Sequence, residues 1–329
     1  MHYEHTHRAI YQNGVFKMKN DNIDLLQKRK HCPSCHSTRS VPLYSEPLSS
    51  HGIKSYLEQQ YNGRASLNFD GYTFELVQCP NCSLTYQMYV PTGRLLSEIY
   101  DVWIPNSARE ELQGFHDIDY YRYQSEQIQF VIHQFGVPPD SISVLDFGFG
   151  WAEWAKMAMA YGLDVTGLEL SQERQEYAQS IGLKLTNTQE LTRNKFHFIN
   201  TEQVFEHIVE PHDLLVLLKD SLRTDGVIKI SVPNSSGSLR KLKNTQDFSS
   251  LSPNEIMPIA PLEHVNCFTY TSLVALADSV GLKPLHPSFC KLYNSSSGWL
   301  EIKNAVRLAA RPFYRHVFPK NTFVYFIRA

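Results

Sequence analysis

Apolar and polar positions alternate regularly over the second half of the chain. Short apolar runs are followed by stretches in which apolar residues recur at helical spacing. The runs favour buried strands and the stretches favour amphipathic helices. Strands are predicted over residues 142–145, 164–170, 183–186, 196–199, 226–232, 282–285 and 322–327, and helices over residues 154–161, 171–181, 211–222 and 270–279. This alternation predicts an α/β fold with a mostly parallel sheet that ends in an antiparallel strand.

The first 140 residues lack this alternation and divide into smaller units. The predicted segments are a tail (1–30), a small β unit (31–92), a helical connector (93–140) and the sheet domain (141–329). Within the sheet domain, residues 235–268 are polar and loop-like. A loop of this length suggests a lid over an active site.

Composition narrows the class of protein. Hydrophobic residues make up 42% of the 329 positions, and the formal net charge is −2. The chain can therefore build a core, and its charge favours neither nucleic acid nor membrane. The first 20 residues are polar and contain several histidines, and they lack the apolar core of a signal peptide. We expect a cytoplasmic protein without a membrane partner.

A glycine loop follows the first predicted strand of the sheet domain. Gly148 and Gly150 permit a sharp turn and close approach of a ligand. Glu169 ends the next strand about 20 residues later, where an acid reaches ribose hydroxyls in nucleoside-binding α/β folds. The unit therefore predicts a nucleoside site. A glycine turn in an unrelated α/β protein is the alternative interpretation.

Two details favour S-adenosylmethionine over NAD. The dinucleotide fingerprint needs a glycine where this chain has Glu153. Asp146 lies directly before the loop, where a carboxylate would repel a pyrophosphate. The same carboxylate attracts the cationic amino group and sulfonium of S-adenosylmethionine.

Two C-P-x-C turns indicate a metal site. Four of the six cysteines form them: Cys32, Cys35, Cys79 and Cys82. Two such turns supply the four tetrahedral thiolates of a structural zinc ion, as in a zinc ribbon. A C-x-x-C redox motif is the alternative, and disulfides are disfavoured without a secretory signal. His31 and His36 could replace a cysteine as ligand, and Cys267 and Cys290 are predicted to be core or near-core residues.

The chain resembles class I S-adenosylmethionine-dependent methyltransferases that carry an N-terminal zinc ribbon, similar to bacterial sugar and natural-product methyltransferases. The similarity rests on the two C-P-x-C turns, V-L-D-F-G-F-G with Glu169, Q-V-F-E-H-I at 203–208, and E-H-V-N-C-F-T at 263–269. It implies a Rossmann-like, seven-stranded, mostly parallel sheet with an antiparallel last strand, plus a small N-terminal zinc ribbon over 31–92.

The resemblance also implies roles for individual residues. Gly148 and Gly150 would line the methionine part of the cofactor, Asp146 would lie near its amino group, and Glu169 would hold the ribose. Gln203 is expected to contact the cofactor as well. Two positions depart from the family pattern: Ala152 replaces a third small residue that is usually glycine, and Pro261 replaces the tyrosine found before the Glu-His pair in sugar C-methyltransferases.

Methyl transfer to a protonated nucleophile needs a base, for which histidine is suited near neutral pH. The resemblance implies that His264 is this base, and His207 is a second candidate at the same edge of the sheet. Glu263 could orient His264 or be solvated, and Glu206 is the alternative orienting carboxylate. Each histidine could instead only order its loop.

The sequence therefore supports two functional hypotheses of different classes. The first is methyl transfer to a small-molecule acceptor, such as a nucleotide-linked sugar or a polysaccharide or natural-product precursor. The second is an RNA-modifying methyltransferase whose ribbon binds RNA, suggested by the basic run Lys28-Arg29-Lys30. A non-catalytic scaffold is disfavoured by the intact cofactor motifs.

Overall fold

The structure is a computed structural model that describes residues 24–65, 67–103, 117–287 and 321–328, with isolated helical positions between 306 and 317. Its strands are β1 (Leu26–Lys28), β2 (Val41–Pro47), β3 (Thr73–Gln78), β4 (Thr85–Gln87), β5 (Tyr89–Pro91), β6 (Ser143–Phe147), β7 (Asp164–Leu168), β8 (Lys184–Leu185), β9 (Phe196–Glu202), β10 (Leu222–Pro233), β11 (Asn266–Cys267), β12 (Leu282–Leu285) and β13 (Asn321–Arg328).

The α-helices lie mainly between the strands of the larger sheet. They are α1 (His51–Gln60), α2 (Gly93–Ser97), α3 (Ile118–Phe135), α4 (Glu153–Ala160), α5 (Gln172–Ser180), α6 (Thr188–Leu191), α7 (Pro211–Asp220), α8 (Ser236–Thr245), α9 (Pro253–Ile256) and α10 (Tyr270–Ser279). A π-helical segment, Glu98–Trp103, continues α2.

The larger sheet has seven strands in the order β12-β13-β10-β9-β6-β7-β8. Strands β10, β9, β6, β7 and β8 are parallel, whereas β13 is antiparallel to both of its neighbours. The predicted Rossmann-like fold with an antiparallel last strand is confirmed. Its parallel strands end at one edge, where such sheets bind their ligands.

Apolar side chains cover both faces of this sheet. On one face Trp154 of α4 stacks on Phe198 with ring centroids 5.9 Å apart, and Phe130 of α3 lies 4.6 Å from Tyr325. The opposite face packs against α7 and α10, and Phe268 belongs to the same buried cluster. The core therefore fixes the strand ends that carry the polar groups of the site.

A second sheet joins the N-terminal unit to the sheet domain. Its order is β11-β4-β3-β2, so a two-residue strand from the predicted lid completes the sheet of the ribbon. Sequence patterns did not predict this pairing, because strands so short leave no periodic signal.

Three segments differ from the sequence-based expectation. Residues 235–268 were predicted to be loop-like, yet they contain α8, α9 and two 3-10 turns. Only two apolar residues of α8 are buried, Leu239 and Leu242, and two positions are too few to give a periodic signal that reveals a helix. Helix α1 was also missed, and β1 lies inside the segment predicted as a tail and pairs with β5.

Two further expectations concern cysteines and membranes. Cys267 is fully buried, as expected, whereas Cys290 lies outside the described residues. Among the described helices, none is long and apolar enough to cross a bilayer.

Candidate active site and metal site

The glycine loop and the segment after β9 meet at the carboxyl edge of the sheet. Gly148 has φ +71°, and a Cβ added there would lie 2.6 Å from Val204 Cγ2. Glycine is therefore required at this position both for its backbone conformation and for close approach. A Cβ at Gly150 would meet nothing within 4 Å. The loop therefore leaves open space beside Gly150.

Ala152 occupies the position where the family usually has glycine. Its φ is +59°, in the left-handed region, and its side chain is fully buried. The third residue of the glycine loop thus keeps the backbone conformation that favours glycine, while its methyl group packs in the core.

Asp146 anchors a buried polar network beneath the glycine loop. Its Oδ1 accepts a hydrogen bond of 2.8 Å from Asn200 Nδ2, whereas its Oδ2 is buried and has no hydrogen-bond partner in the part of the chain that the structure describes. Burial raises the pKa of Asp146 to about 7, against the opposing effects of Asn200 and Lys229. The unpartnered oxygen is available to a cationic ligand group such as the amino group of S-adenosylmethionine.

Lys229 is an unpredicted member of this network. Its ammonium is buried, lies 3.2 Å from Asn200 Oδ1, and also contacts Gln127 and Glu202. Its position within the apolar run 227–232 of β10 is the sequence signal that indicates a buried lysine, and this residue was not among the predicted site residues. Buried lysines need such partners, because desolvation of an unpaired charge is costly.

Glu169 lies at the end of β7, where it contacts the glycine loop. Its Oε2 accepts a hydrogen bond of 3.0 Å from the Gly150 amide, and its Oε1 accepts bonds of 2.8 and 3.1 Å from the amides of Leu170 and Ser171. Arg174 Nη1 lies 3.7 Å from Oε2. The carboxylate thus stabilises both loops that would enclose a nucleoside.

These groups fit S-adenosylmethionine. Gln203 has φ +55°, and its Nε2 is buried without a partner among the described residues. Four features together suit a nucleoside with an amino-acid tail: the Gln203 amide donor, the Asp146 oxygen without a hydrogen-bond partner among the described residues, the Glu169 carboxylate and the open space beside Gly150.

We expect Glu169→Ala to lower affinity for S-adenosylmethionine roughly tenfold or more, because charge-assisted hydrogen bonds are worth about 1.5–3 kcal/mol each. Calorimetric titration would measure this. The matched control is Glu176→Ala, which removes an exposed carboxylate from the adjoining α5. Equal affinity of wild type and Glu169→Ala would remove Glu169 from the cofactor site.

Beyond the cofactor region, Glu206, His207 and His264 form one cluster. Their ligand-type atoms all lie within 4.8 Å of one another, and the two imidazole centroids are 4.7 Å apart. His207 Nδ1 donates to the Glu263 carbonyl at 3.1 Å, so its Nε2 carries the lone pair and lies 4.0 Å from Glu206 Oε1. The structure brings together both histidines that the sequence selected.

Burial sets the protonation of this cluster. It raises the pKa of Glu206 to about 8, and neither oxygen of this carboxyl has a hydrogen-bond partner within the described ranges. Burial also lowers the pKa of His264 to about 3, an effect that His207 adds to, and it lowers the pKa of His207. Near neutral pH the Glu206 carboxyl is therefore protonated and uncharged, and both imidazoles are also uncharged.

Glu263 is oriented away from His264. Its Oε1 accepts a hydrogen bond of 2.8 Å from the Tyr61 hydroxyl and a longer bond from Gln60 Nε2. Its side chain therefore joins the lid to the C-terminal end of α1. Its backbone carbonyl accepts the hydrogen bond that fixes the tautomer of His207.

Gln87 of the ribbon clamps the segment that carries His264. Its Nε2 donates to the carbonyls of Ala260 at 2.9 Å and His264 at 3.1 Å, and its Oε1 accepts from the Leu262 amide at 3.3 Å. The backbone N–H of Gln87 donates to the Val265 carbonyl at 3.0 Å. The Gln87 side chain thus holds the backbone from Ala260 to His264, and the Gln87 backbone holds Val265 on the other side of the histidine.

Arg29 and Asn266 make a second clamp. The Asn266 side-chain amide donates to the carbonyls of Phe205 at 2.9 Å and Ile208 at 2.6 Å, on either side of His207. Arg29 is buried and donates to Asn266 Oδ1 at 3.2 Å and to the Val209 carbonyl. Both clamps connect residues far apart in sequence, which no local motif could indicate.

We expect Gln87→Ala to lower turnover about 10–100-fold with unchanged affinity for S-adenosylmethionine. Loss of the clamp would displace His264, and misplacement of a reacting group by about 1 Å can cost about 10²-fold. Steady-state kinetics and calorimetry would separate the two quantities. Gln59→Ala, at an exposed position of α1, is the control. Unchanged turnover in Gln87→Ala would show that the clamp does not position the histidine.

The four cysteines of the ribbon converge on one point. Cys32 and Cys82 have sulfurs 3.5 Å apart, as do Cys35 and Cys79, and all four sulfurs lie within 4.8 Å of one another. Tetrahedral zinc with Zn–S bonds of about 2.3 Å needs sulfur separations of roughly 3.8 Å. The donor set therefore fits zinc.

The two cysteine knuckles share one backbone conformation at the residue that follows each of them. His36 and Ser83, which follow the second cysteine of each turn, have φ values of +56° and +62°. Their amides donate to the carbonyls of Cys32 at 2.9 Å and Cys79 at 3.0 Å. Both positions keep the left-handed turn that normally favours glycine.

Comparison with known proteins agrees with this geometry. A family model described as "Methyltransferase domain" matches residues 120–286, just over half of the chain. No curated protein matches the sequence. Similar solved structures include three methyltransferase complexes, whose TM-scores are too low to support a conclusion about this chain.

The plantazolicin methyltransferase BamL, in complex with a triazolic desmethylPZN analog and SAH, is 16% identical, covers 71% of this chain and 95% of its own, and has a TM-score of 0.48. The plantazolicin methyltransferase BpumL with SAH is 17% identical over 63% of this chain and 83% of its own, with a TM-score of 0.43. PKMT2 from Rickettsia typhi in complex with AdoHcy is 15% identical, covers 62% of this chain and 54% of its own, and has a TM-score of 0.40. The chain belongs to the methyltransferase-domain family and is an S-adenosylmethionine-dependent methyltransferase.

Proposed function

We propose that the protein methylates a small molecule whose acceptor atom carries a proton, namely a nucleotide-linked sugar or another polysaccharide or natural-product precursor. The observation that carries this proposal is the cluster of buried Glu206, half-buried His207 and buried His264, which presents neutral imidazoles at the edge of the sheet. A base at this place serves an acceptor that must lose a proton as it is methylated.

His264 is the proposed catalytic base. Its Nδ1 is buried and has no hydrogen-bond partner among the described residues, and the Met257 backbone opposes the lowering of the pKa of this ring by burial. Nδ1 is thus the atom that receives the acceptor proton. His207 contacts the same space and is proposed to bind the acceptor.

The remaining residues bind and orient. Bound S-adenosylmethionine supplies an electrophilic methyl group, and in-line displacement depends chiefly on orientation and on exclusion of water. Asp146, Glu169 and Gln203 are proposed to hold the cofactor, with Gly148 and Gly150 allowing its approach. The segment 235–268 carries His264 and is proposed to keep bulk water from the cluster.

RNA modification gains no support from the ribbon. Of the basic run, Arg29 is buried and bonded to Val209 and Asn266, so the run presents only Lys28 and Lys30 to solvent. One edge of the ribbon sheet is occupied by β11. An RNA-binding ribbon would need an accessible basic surface, and we therefore favour the small-molecule acceptor.

The pH dependence of turnover tests the role of Glu206. Because its pKa is about 8, this carboxyl ionises as the pH rises through 8, and the new anion makes the adjacent imidazoles stronger bases. We expect turnover to rise through that range in wild type and this rise to be absent in Glu206→Gln. A rise of equal size in both proteins would contradict the assignment.

The same variant has a second expected effect, on stability. The pKa of Glu206 is higher in the folded protein than the ordinary 4.5, so folding is progressively penalised from about pH 4.5 to pH 8. Glu206→Gln should therefore gain melting temperature relative to wild type as the pH rises through this range. This places the carboxyl among groups that are retained for activity at the expense of stability.

Formation of S-adenosylhomocysteine with a panel of acceptors tests the proposed substrate class. The panel contains nucleotide-linked sugars, free sugars, small natural-product precursors and total RNA. We expect turnover with a small-molecule acceptor and its loss in His264→Ala. Turnover with RNA alone would overturn the proposal in favour of the RNA-modifying alternative.

A further inference from the structure

A second group of potential metal ligands lies outside the active site, at the junction between the ribbon and α7. The ribbon contributes His31 and His36, which flank the first cysteine knuckle. The turn before α7 and its first residues contribute Glu210, His212 and Asp213. We call these five residues the histidine cluster.

His36 is the centre of the histidine cluster. Its ring lies 5.2 Å from that of His31 and 4.5 Å from that of His212, centroid to centroid. The ligand atoms of His31, His36 and Glu210 all lie within 4.8 Å of one another, and so do those of His36, His212 and Asp213. An ion with bonds of about 2.0–2.2 Å to nitrogen and oxygen needs only a small closing movement of either set.

The outer contacts of the histidines leave one nitrogen of each ring for an ion. His31 Nδ1 lies 3.4 Å from the Cys32 carbonyl oxygen, and His212 Nδ1 lies 3.4 Å from Asp213 Oδ1. Metal-bound histidines usually use one ring nitrogen in this way, with a carbonyl or carboxylate fixing the ring while the other nitrogen binds the metal.

Glu210 supplies an independent indication of a ligand. Its Oε2 is buried and has no hydrogen-bond partner among the described residues. Burial raises the pKa of Glu210, and the charge of Arg29 opposes that effect without bonding this oxygen. A buried carboxylate oxygen beside two imidazoles suits a divalent cation.

We propose that His31, His36 and Glu210 bind one first-row divalent ion of the zinc class, separate from the ion of the four cysteines. Imidazole and carboxylate ligands suit Zn²⁺, Ni²⁺, Co²⁺ and Cu²⁺ better than they suit Mg²⁺ or Ca²⁺. The four thiols already form a complete tetrahedral set, so none of these three residues is needed there. The ion would join the ribbon to α7 and thereby fix the relation of the two units.

Zinc stoichiometry and calorimetry test this site. The full chain is used without an affinity tag and with His2, His5 and His7 replaced by glutamine, because these tail histidines could also bind metal. A mild chelator is used to remove weakly held metal, and Zn²⁺ is then titrated into the protein. The variants are His36→Asn, which tolerates the left-handed backbone, and His31→Gln, with His133→Gln on α3 as the control.

We expect the starting protein to take up a second zinc beyond the one that resists the chelator. His36→Asn and His31→Gln should bind this second ion at least tenfold more weakly, whereas His133→Gln should bind it normally. In all variants the chelator-resistant zinc should stay at one per chain. A melting temperature that rises with added Zn²⁺ in the starting protein, and not in His36→Asn, is the second readout.

Two results would overturn the proposal. Uptake of only one zinc per chain at saturation would show that the histidine cluster binds none. A second zinc bound equally well by His36→Asn and His31→Gln would place it elsewhere, for example at Glu206, His207 and His264, the other mixed histidine and carboxylate group among the described residues. Neither result depends on whether methyl is transferred, because both are read from zinc binding; failure here is therefore distinguishable from failure of the proposed function, which is read from S-adenosylhomocysteine formation.

Discussion

His264→Ala is expected to lower turnover about 10²–10⁴-fold, the range for loss of a positioned acid–base group, while leaving S-adenosylmethionine affinity unchanged. The histidine has a buried Nδ1 without a partner among the described residues, and its segment is held in place by Gln87. Removing the ring takes away the proton acceptor without altering the glycine loop or Glu169. Single-turnover kinetics with the true acceptor and calorimetry with the cofactor would measure the two effects.

The neighbouring histidine gives a matched comparison. His207→Ala should act mainly on acceptor binding, so that KM rises more than kcat falls, because its ring contacts His264 and its Nδ1 is already bonded to the Glu263 carbonyl. If His264→Ala turned over near the wild-type rate across the pH range, no proton would be taken there. The acceptor would then be an atom that is already nucleophilic, or the base would be His207.

The glycine loop and the acid placed beside it were predictable because their signals are local. The apolar strand, Gly148, Gly150 and the acid at the end of the next strand lie within one stretch of chain, and the parallel topology brings their ends to one edge. The C-P-x-C turns are similarly local, since each knuckle is closed by its own backbone bonds. Features formed by residues that are close together in the chain can be recognised from the spacing of those residues in the sequence.

The support around the histidines was not predictable, because it depends on long-range contacts. Gln87 lies 177 residues from His264 in sequence, and Arg29 lies 237 residues from Asn266. A glutamine in a short strand and an arginine in a basic run look like ordinary exposed residues until β11 is placed against β4. The loop-like composition of residues 235–268 concealed α8 for the related reason that its buried face is narrow.

Loss of zinc is expected to have the largest effect on the fold and, through it, on turnover. Structural zinc in thiolate sites contributes an apparent free energy of about 10–16 kcal/mol in small zinc-finger peptides. Four converging sulfurs should bind one tightly held ion per chain, and Cys35→Ser should lose it. Elemental analysis of protein purified without chelator would measure the zinc content. Cys290→Ser, which lies outside both C-P-x-C turns, is the control.

The consequence should reach His264, because the ribbon sheet carries the clamp on the lid. Strand β4 follows directly on the second knuckle, ends at Gln87 and pairs with β11. Cys35→Ser should therefore lose turnover together with zinc, while the glycine loop and Glu169, which belong to the other sheet, should still bind S-adenosylmethionine. Calorimetry and kinetics on the same preparation would test this separation. Unchanged zinc content in Cys35→Ser would contradict the metal assignment, and full turnover in zinc-free protein would show that the ribbon does not position the base.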